Sequence, residues 1–279
     1  MLRLVSGILL ASLIALSTTS MGSSEPITPK EVIQLFNGKD LTNFYTYLGA
    51  PTKGAKPLGK NNDPDKVFTV HDGMIHVTGK VFGCFTTEKE YENYHLTVEF
   101  KWGEKTWPPR EGRSRDSGIL LHCHGADGSY GVWMPSIECQ MIEGGTGDFL
   151  VLSNKDHKFT LTVEAEKRST GEGDKVHDEF YYKKGGEPLT KSSGRINWYA
   201  RSPAWKDVAG FRGKDDVEKP AGEWNTLEVV CNGDSISNIL NGKIVNHGTK
   251  VSPSKGKIIF QSEGAEVFFR RIDLLPLTK

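Results

Sequence analysis

Apolar and polar residues alternate one by one along most of this chain. In residues 94–103, for example, Leu96, Val98 and Phe100 are separated by single polar side chains. Neighbouring side chains of a β-strand point to opposite faces, so this pattern predicts strands that bury only one face.

Turn-forming pairs separate the alternating segments. Asp72-Gly73 and Asn241-Gly242 each stand between two short alternating runs, as the turn of a β-hairpin does. Such signals recur about every ten residues, and helical periodicity is nearly absent. The pattern predicts an all-β domain in which two sheets pack face to face, a β-sandwich or jelly roll.

The start of the chain departs from this pattern and sets the expected boundaries. Residues 1–22 carry one early cation, Arg3, then an apolar run and small residues, which is the composition of a secretory signal peptide. The apolar run is too short for a transmembrane helix. We therefore expect a secreted or periplasmic protein with no membrane span in the mature chain, a linker over residues 23–32 and one domain over residues 33–279.

A polar, glycine-rich segment at residues 165–194 also interrupts the pattern. It combines many charged side chains with few apolar ones, so it predicts a long solvated surface loop.

The charge balance excludes two classes of partner. The chain has 35 basic and 35 acidic side chains, and cleavage after residue 22 would remove only Arg3. A nearly neutral protein has no general electrostatic attraction for nucleic acid or for an anionic membrane. Neither partner is expected.

The four cysteines form no CxxC pair, which argues against a zinc knuckle or a thioredoxin-like site. Each cysteine lies in an apolar, strand-like run, where a free thiol behaves as a small hydrophobic side chain. Free thiols are the favoured interpretation. If export allows a disulfide, Cys123 with Cys139 is the first pair to consider.

The stretch between residues 115 and 148 concentrates polar side chains among short apolar runs. Two strands joined as a hairpin would put Asp116 and His122 on one face together with Glu138 and Gln140. That face would point away from the sandwich core. Such a face can be an ordinary solvated surface, because the outer side of an antiparallel sheet is polar in any case.

The residue types in this stretch also suit a sugar-binding groove. Carboxylates and amides can hold hydroxyl groups, and aromatic rings such as Trp133 and Trp198 can stack on a sugar ring. Arg201 follows Trp198 in an aromatic-rich segment that could line the groove or could be a packed Ω-loop. On the residues alone, groove and passive surface remain equal alternatives. Glu263 could reach the groove from a last strand, with a turn role as the favoured interpretation.

Seven blocks of sequence carry a family resemblance. They are LFNGKDLTNFY (35–45), TVHDGMIHV (69–77), FTTEKEYENYHLTVEFKW (85–102), RDSGILLHC (115–123), SIECQMIEGGTGDF (136–149), GEWNTLEVVCNGDSISNILNG (222–242) and IIFQSEGAEVFFRRIDL (258–274). In this order they resemble the 3-keto-disaccharide hydrolase family over nearly the whole mature chain. Phe44 stands where that family usually has Trp, and Arg271 stands where it usually has Asn.

The resemblance implies a concanavalin A-like jelly roll, export, and action on glycosides that are oxidised at C3. A C3 ketone acidifies the hydrogen on C2, so a base can form an enolate and the C1 substituent can leave by β-elimination. Addition of water then completes the cleavage. This chemistry needs a base near C2, an acid for the leaving oxygen and an electrophile at the C3 oxygen.

The resemblance also orders the candidate residues. His122 or Glu138 is expected as the base, with Glu143 or Asp148 assisting the leaving group or a metal. The residues expected to bind substrate are Arg115, Asp116, Gln140, Asp148, Trp133, Trp198 and Arg201. The resemblance fixes no cofactor, although a divalent metal ion held by His122, Glu138 and neighbouring residues could stabilise the enolate.

Two other functions fit the same fold. A non-catalytic carbohydrate-binding module would keep the tryptophans and would need no base. A sugar-binding or structural protein of the cell envelope would need neither, and fold alone does not separate these classes.

Overall fold

A computed structural model describes residues 25–170 and 177–278. These residues form nineteen β-strands and no helix. The strands are β1 (Ile33–Gln34), β2 (Phe44–Leu48), β3 (Gly59–Lys60), β4 (Phe68–His71), β5 (Met74–Val77), β6 (Gly83–Thr87), β7 (Tyr94–Thr106), β8 (Asp116–Cys123), β9 (Ser136–Ile142), β10 (Phe149–Leu152), β11 (Thr160–Thr170), β12 (His177–Tyr182), β13 (Glu187–Lys191), β14 (Gly194–Ile196), β15 (Asn225–Asn232), β16 (Ser235–Leu240), β17 (Lys243–Ser252), β18 (Lys257–Ser262) and β19 (Ala265–Leu275).

The strands form two antiparallel sheets. The eleven-stranded sheet has the order β12-β11-β17-β16-β15-β7-β19-β5-β4, with β1 added to β19 and β13 added to β11. The eight-stranded sheet has the order β14-β10-β9-β8-β18-β6-β2-β3. Strands that are distant in sequence are neighbours in both sheets, as in a jelly roll, so the predicted all-β jelly-roll class is confirmed.

The main core lies between the two sheets. Phe85 and Phe260 of the eight-stranded sheet stack with ring centroids 4.8 Å apart, and Phe269 of the other sheet packs edge-on against both. All three are completely buried. We call the face of each sheet that meets this core the inner face, and the opposite face the outer face.

A second, smaller apolar cluster lies on the outer face of the eight-stranded sheet. The segment between β8 and β9 packs Met134 and Trp133 against Leu120 and Ile259 of that face. This half of the outer face is therefore covered. The polar half beside it carries Asp116, Glu138 and Gln140.

The segment at residues 165–194 differs from the predicted loop. Apart from residues 171–176, which lie outside the described part, it contains the end of β11 and the strands β12, β13 and the start of β14. β12, β13 and β14 are edge strands. Charged side chains on the outward side are one way in which edge strands resist pairing with other chains. The high charge of the segment was thus a property of its exposed face and not of a loop.

The expected linker is partly attached to the domain. Ile27 exchanges backbone hydrogen bonds with Glu90 and Glu92, and β1 begins at Ile33, where the domain was predicted to start. The predicted signal peptide lies outside the described residues. Within the described residues, no helix is long and apolar enough to cross a membrane.

All four cysteines are buried and free. Cys139 belongs to the core between the sheets, whereas Cys123 belongs to the cluster on the outer face. The two thiols lie on opposite sides of one sheet, so the pair first considered for a disulfide is wrong and the favoured interpretation is confirmed.

Candidate active site

The hairpin predicted between residues 116 and 142 is present. β8 and β9 pair with Gly118 opposite Gln140 and Leu120 opposite Glu138. Asp116, Glu138 and Gln140 lie on the outer face, because the residues that alternate with them pack in the core. Their exposed fractions are only 7%, 3% and 3%. Three of the predicted residues therefore share one nearly closed region.

His122 does not join them, so its predicted position beside Glu138 is wrong. Its φ is +54°, and the pairing of β8 with β18 shifts register at this point, so one extra residue reverses the alternation. The ring turns to the core, where its centroid lies 6.2 Å from that of Tyr94 and its Nδ1 lies 3.2 Å from the Pro253 carbonyl oxygen. Burial lowers the pKa of His122 to about 4. His122 and Glu138 lie on opposite faces and cannot share a metal ion.

Glu143 and Arg115 form a buried ion pair away from Glu138. Arg115 Nη1 donates to Glu143 Oε1 at 2.7 Å, and the backbone N–H groups of Arg115 and Gly210 donate to Glu143 Oε2 at 2.9 Å. Arg115 Nε donates to the carbonyl oxygen of Gly103, in the other sheet. The pair connects the ends of the two sheets to a loop, and both carboxylate oxygens are occupied. The structure places neither residue with Glu138.

Glu263 joins Asp116 and Glu138 in a cluster of three carboxyl groups. β18 pairs with β8 with Phe260 opposite Ile119, and continuing this register puts Glu263 beside Asp116 on the outer face. Burial is the main cause that raises the three pKa values, to about 7 for Asp116, to about 8 for Glu138 and well above the usual range for Glu263. Carboxyl groups that exchange protons near neutral pH are suited to acid–base catalysis.

Glu138 has free lone pairs in this cluster. None of the described residues donates a hydrogen bond to it. Its Oε1 lies over Gly118, together with Oε1 of Gln261, which is buried without a partner. A Cβ at residue 118 would overlap both oxygens, so only glycine leaves room for them. Buried polar atoms without partners are rare and point to a ligand or water at this place.

Asp116 is held by two neighbours. Gln140 Nε2 donates to Asp116 Oδ1 at 2.6 Å, and Arg110 Nη1 lies 3.3 Å from Asp116 Oδ2. Arg110 also donates to Asp207 at 2.9 Å, while its Nε is buried without a partner. These donors favour the charged form of Asp116, and the Arg110 Nε–H remains available to a ligand.

Asp148 fixes the position of two arginine side chains next to the carboxyl cluster. It is completely buried and accepts hydrogen bonds from Arg195 at 2.5 Å, from Arg201, and from the backbone N–H of Trp198 at 2.7 Å. Arg195 Nη2 in turn donates to Gln140 Oε1 at 3.2 Å. Asp148 thus orients Arg195 toward the cluster, and its occupied oxygens leave it no site for a sugar hydroxyl.

The two predicted tryptophans occupy different environments. Trp198 is 2% exposed, belongs to the main core and donates its indole N–H to the Gly144 carbonyl oxygen, so it cannot stack on a substrate. Its predicted binding role is wrong for that reason. Trp133 is partly exposed and packs at the edge of the outer-face cluster. Its binding role stays a prediction.

A metal centre is not evident in the described ranges. No three His, Cys, Asp or Glu side chains within residues 25–170 and 177–278 are arranged to hold a metal ion. The conjectured His122–Glu138 ligand pair fails on geometry, as shown above.

Three residues of the cluster were not predicted from the sequence, namely Arg110, Arg195 and Gln261, and Glu263 was given a turn role in preference to one in the groove. Alternation in the FQSEG segment puts Gln261 and Glu263 on the face opposite Phe260, so that signal was present. Arg195 directly follows the segment at residues 165–194 that was predicted to be a loop. No local pattern distinguishes Arg110.

Two open surface cavities lie away from the three carboxyl groups. One of about 720 Å³ is lined by Tyr182, Tyr199 and Ile244 among others, and one of about 820 Å³ is lined by residues that include Tyr199 and Arg201. Neither contains Asp116, Glu138 or Glu263 in its lining. The candidate site is placed at the carboxyl cluster, because three carboxyl groups with raised pKa values lie there together with the unpartnered Gln261 Oε1 and Arg110 Nε.

Solved structures with a similar course of the chain include several carbohydrate-related proteins. A protein of Parabacteroides distasonis, provisionally described as a glycosyl hydrolase, is 19% identical with a TM-score of 0.49, over 89% of this chain and 94% of that one. The β-glucanase of Bacillus licheniformis is 12% identical with a TM-score of 0.43, over 88% and 97%. The carbohydrate-binding module CBM66 of Bacillus subtilis is 8% identical with a TM-score of 0.38, over 74% and 89%. No curated protein matches the chain.

A match to a protein-family model identifies the family of this chain, which the solved structures do not. The model of the 3-keto-alpha-glucoside-1,2-lyase-like domain matches residues 31–275, which is nearly the whole described chain. This confirms the resemblance seen in the sequence blocks, and the protein is carbohydrate-active in the sense of that family. The chain belongs to the family of 3-keto-alpha-glucoside-1,2-lyase-like domains.

Proposed function

We propose that this protein is an exported enzyme that cleaves 3-keto-glycosides by elimination followed by hydration. The observation that carries the proposal is the cluster of Asp116, Glu138 and Glu263, whose pKa values are raised and in which Glu138 keeps free lone pairs. Family membership supplies the substrate class. Export rests on the composition of residues 1–22.

Glu138 is the base in this proposal. Its ionised carboxylate removes the hydrogen from C2, and the electron pair of the C–H bond becomes the C2=C3 double bond of an enolate. A base works best when its pKa lies near the working pH, and the pKa of Glu138 is about 8. Asp116 is less suited, because its oxygens already face Gln140 and Arg110.

Arg110 and Arg195 face the charge that develops on the C3 oxygen. Arg110 Nε is a buried donor without a partner, and Arg195 is oriented by Asp148. A donor that is already in place when the enolate forms lowers the barrier without reorganisation. The two guanidinium groups thus act as the electrophile that the chemistry requires.

Glu263 assists the leaving group. Burial raises the pKa of Glu263 well above its usual range, which favours the protonated form that a general acid needs. When the enolate collapses, the C3 carbonyl returns, a C1=C2 double bond forms and the C1–O bond breaks. The departing oxygen takes the proton of Glu263.

Hydration reverses these proton transfers. The Glu263 carboxylate takes a proton from water and the hydroxyl oxygen bonds to C1. Glu138, whose proton has meanwhile exchanged with solvent, protonates C2. Both carboxyl groups then have their starting protonation, and the net reaction is hydrolysis of the glycosidic bond.

The test compares 3-keto-glucosides with their parent glucosides in D₂O. We expect turnover of the keto form alone, with enzyme-dependent incorporation of one deuterium at C2 of the product, measured by mass spectrometry and NMR. A reaction without enzyme measures spontaneous exchange beside the ketone. Cleavage of the parent glucoside with C2 hydrogen retained would indicate an ordinary glycosidase and overturn the proposal. Binding without cleavage would indicate a carbohydrate-binding module.

A further inference from the structure

Two aromatic rings stand directly beside the carboxyl cluster. β6 pairs with β18 with Ser262 opposite Gly83, and continuing this register puts Phe82 opposite Glu263 on the outer face. Directly opposed residues of an antiparallel pair have Cβ atoms about 4.5–5.5 Å apart. The ring of Phe82 stacks on Trp133, with centroids 6.3 Å apart and planes inclined by 29°. We call this pair the aromatic wall.

The backbone brings the aromatic wall close to the site. Gly264, with φ of +78°, follows Glu263 and turns the chain into β19. A Cβ at residue 264 would clash with the Arg110 side chain and come within 3.3 Å of the Phe82 ring. The aromatic wall and the Arg110 side chain therefore both lie against Gly264, directly after Glu263.

The surface that the wall presents has no free hydrogen-bonding group. Trp133 Nε1 already donates to the Gly83 carbonyl oxygen at 2.9 Å, and Phe82 has no polar atom. Both side chains are partly exposed. A sugar unit stacked here would have few partners for its hydroxyl groups, and desolvating hydroxyl groups without partners is costly.

We propose that the aromatic wall of Phe82 and Trp133 binds the leaving group and selects a planar, apolar one, such as an aryl group, over a second sugar. This inference rests on the proposed function, since it places the leaving oxygen at Glu263. An aryl ring gains apolar burial and ring stacking on the wall and loses no hydrogen bonds.

The kinetic test uses three 3-keto-glucosides that differ only in the leaving group: phenyl, methyl and glucosyl. For the wild type we expect the highest kcat/KM with phenyl. Phe82→Leu and Trp133→Leu should lower kcat/KM for the phenyl substrate about 10-fold or more, a loss expected for removing one ring stack with its buried area. They should change the methyl substrate less than about threefold, because a methyl group barely reaches the wall.

The matched control is Tyr199→Leu, which removes another partly exposed aromatic ring, away from the site. It should leave all three substrates unchanged. Equal losses for phenyl and methyl substrates in the wall variants would overturn the inference, as would a wild type that prefers the glucosyl leaving group. Because leucine could disturb the packing, Phe82→Tyr and Trp133→Phe, which keep a ring, should retain the phenyl preference.

A binding measurement separates failure of this inference from failure of the proposed function. Titration of the wild type with phenyl β-glucoside, followed by calorimetry, reports the wall without any turnover. One result is that no 3-keto-glycoside is cleaved, but phenyl β-glucoside binds and Phe82→Leu abolishes that binding. This result would support aryl binding at the aromatic wall and would overturn the proposed reaction. If 3-keto-glycosides are cleaved but the wall variants change kcat/KM equally for the phenyl and methyl substrates, the proposed reaction is supported and the role of the aromatic wall is overturned.

Discussion

Two buried groups of carboxyl side chains lie near opposite faces of the same hairpin, and they differ in their partners. On the outer face, Glu138 receives no hydrogen bond from the described residues. On the other side, Glu218 accepts hydrogen bonds from the Trp102 indole and, at 2.7 Å, from Thr146, while Glu143 is held by Arg115. Glu138 and Glu218 are both buried, and burial raises both pKa values to about 8.

The comparison shows that burial and a raised pKa do not by themselves identify a catalytic group. A carboxyl group can work on a substrate only if an oxygen is free to exchange a proton with it. Glu138 meets this condition, and Glu218, which ties the loop at residues 212–221 to the core, does not. The three predictions below test this difference, in order of decreasing effect.

The largest effect is expected from Glu138→Gln. Glutamine keeps the shape of the side chain and removes the group that exchanges the proton. Turnover of a 3-keto-glucoside should fall about a hundredfold to ten-thousandfold, the usual loss for one acid–base group. The melting temperature should stay close to that of the wild type, because the carboxyl group forms no hydrogen bond that the fold requires.

Glu228→Gln is the matched control for this variant. Glu228 is a partly buried carboxylate on the other sheet, paired with His95 at 2.7 Å. Its loss should leave turnover unchanged. Full activity of the Glu138→Gln protein would remove Glu138 from the mechanism, and a collapse of its melting temperature would make Glu138 a structural residue.

A smaller effect is expected from pH. If ionised Glu138 is the base, kcat/KM of the wild type should rise about tenfold per pH unit below pH about 8 and level off above it, because the pH dependence of kcat/KM reports the free enzyme. The measurement is the initial rate at low substrate concentration between pH 5.5 and pH 8.5. If kcat/KM instead falls as pH rises through 8, Glu138 acts as the acid and its role is exchanged with that of Glu263.

Sequence pattern alone accounts for most of the fold. The strict alternation around Leu96 and the Asp-Gly and Asn-Gly turns predicted strands, hairpins and sheet faces, since these depend on neighbouring residues. The same alternation placed Asp116, Glu138 and Gln140 correctly on one face. The high charge of residues 177–191 led to the wrong prediction of a loop, because these charged side chains lie on edge strands.

The rest of the site depends on features that strict alternation does not contain. A single extra residue at His122 turns its ring from the outer face to the core. Arg195 reaches the cluster through a strand pairing between β10 and β14 that is about 45 residues apart in sequence. Trp198 had the right residue type for a sugar platform, but its packing in the core decides its role. Such tertiary effects override local signals.

The smallest effect on turnover, none at all, is expected from Glu218→Gln, which instead changes stability. The pKa of Glu218 is about 8 in the folded protein, against a reference value of 4.5, so the folded state binds the proton more tightly than the unfolded chain. This stabilisation is complete below pH about 4.5 and is lost as pH rises through about 8, by about 1.4 kcal/mol per pH unit between these values. Urea unfolding of Glu218→Gln at pH 5, 6, 7 and 8 should therefore show a flatter decline of unfolding free energy than that of the wild type, with turnover at pH 8 unchanged. Glu228→Gln should keep the wild-type slope. An unchanged slope in Glu218→Gln would mean that its carboxyl group is ionised in the folded protein, and a loss of turnover would place Glu218 in the reaction and cancel its contrast with Glu138.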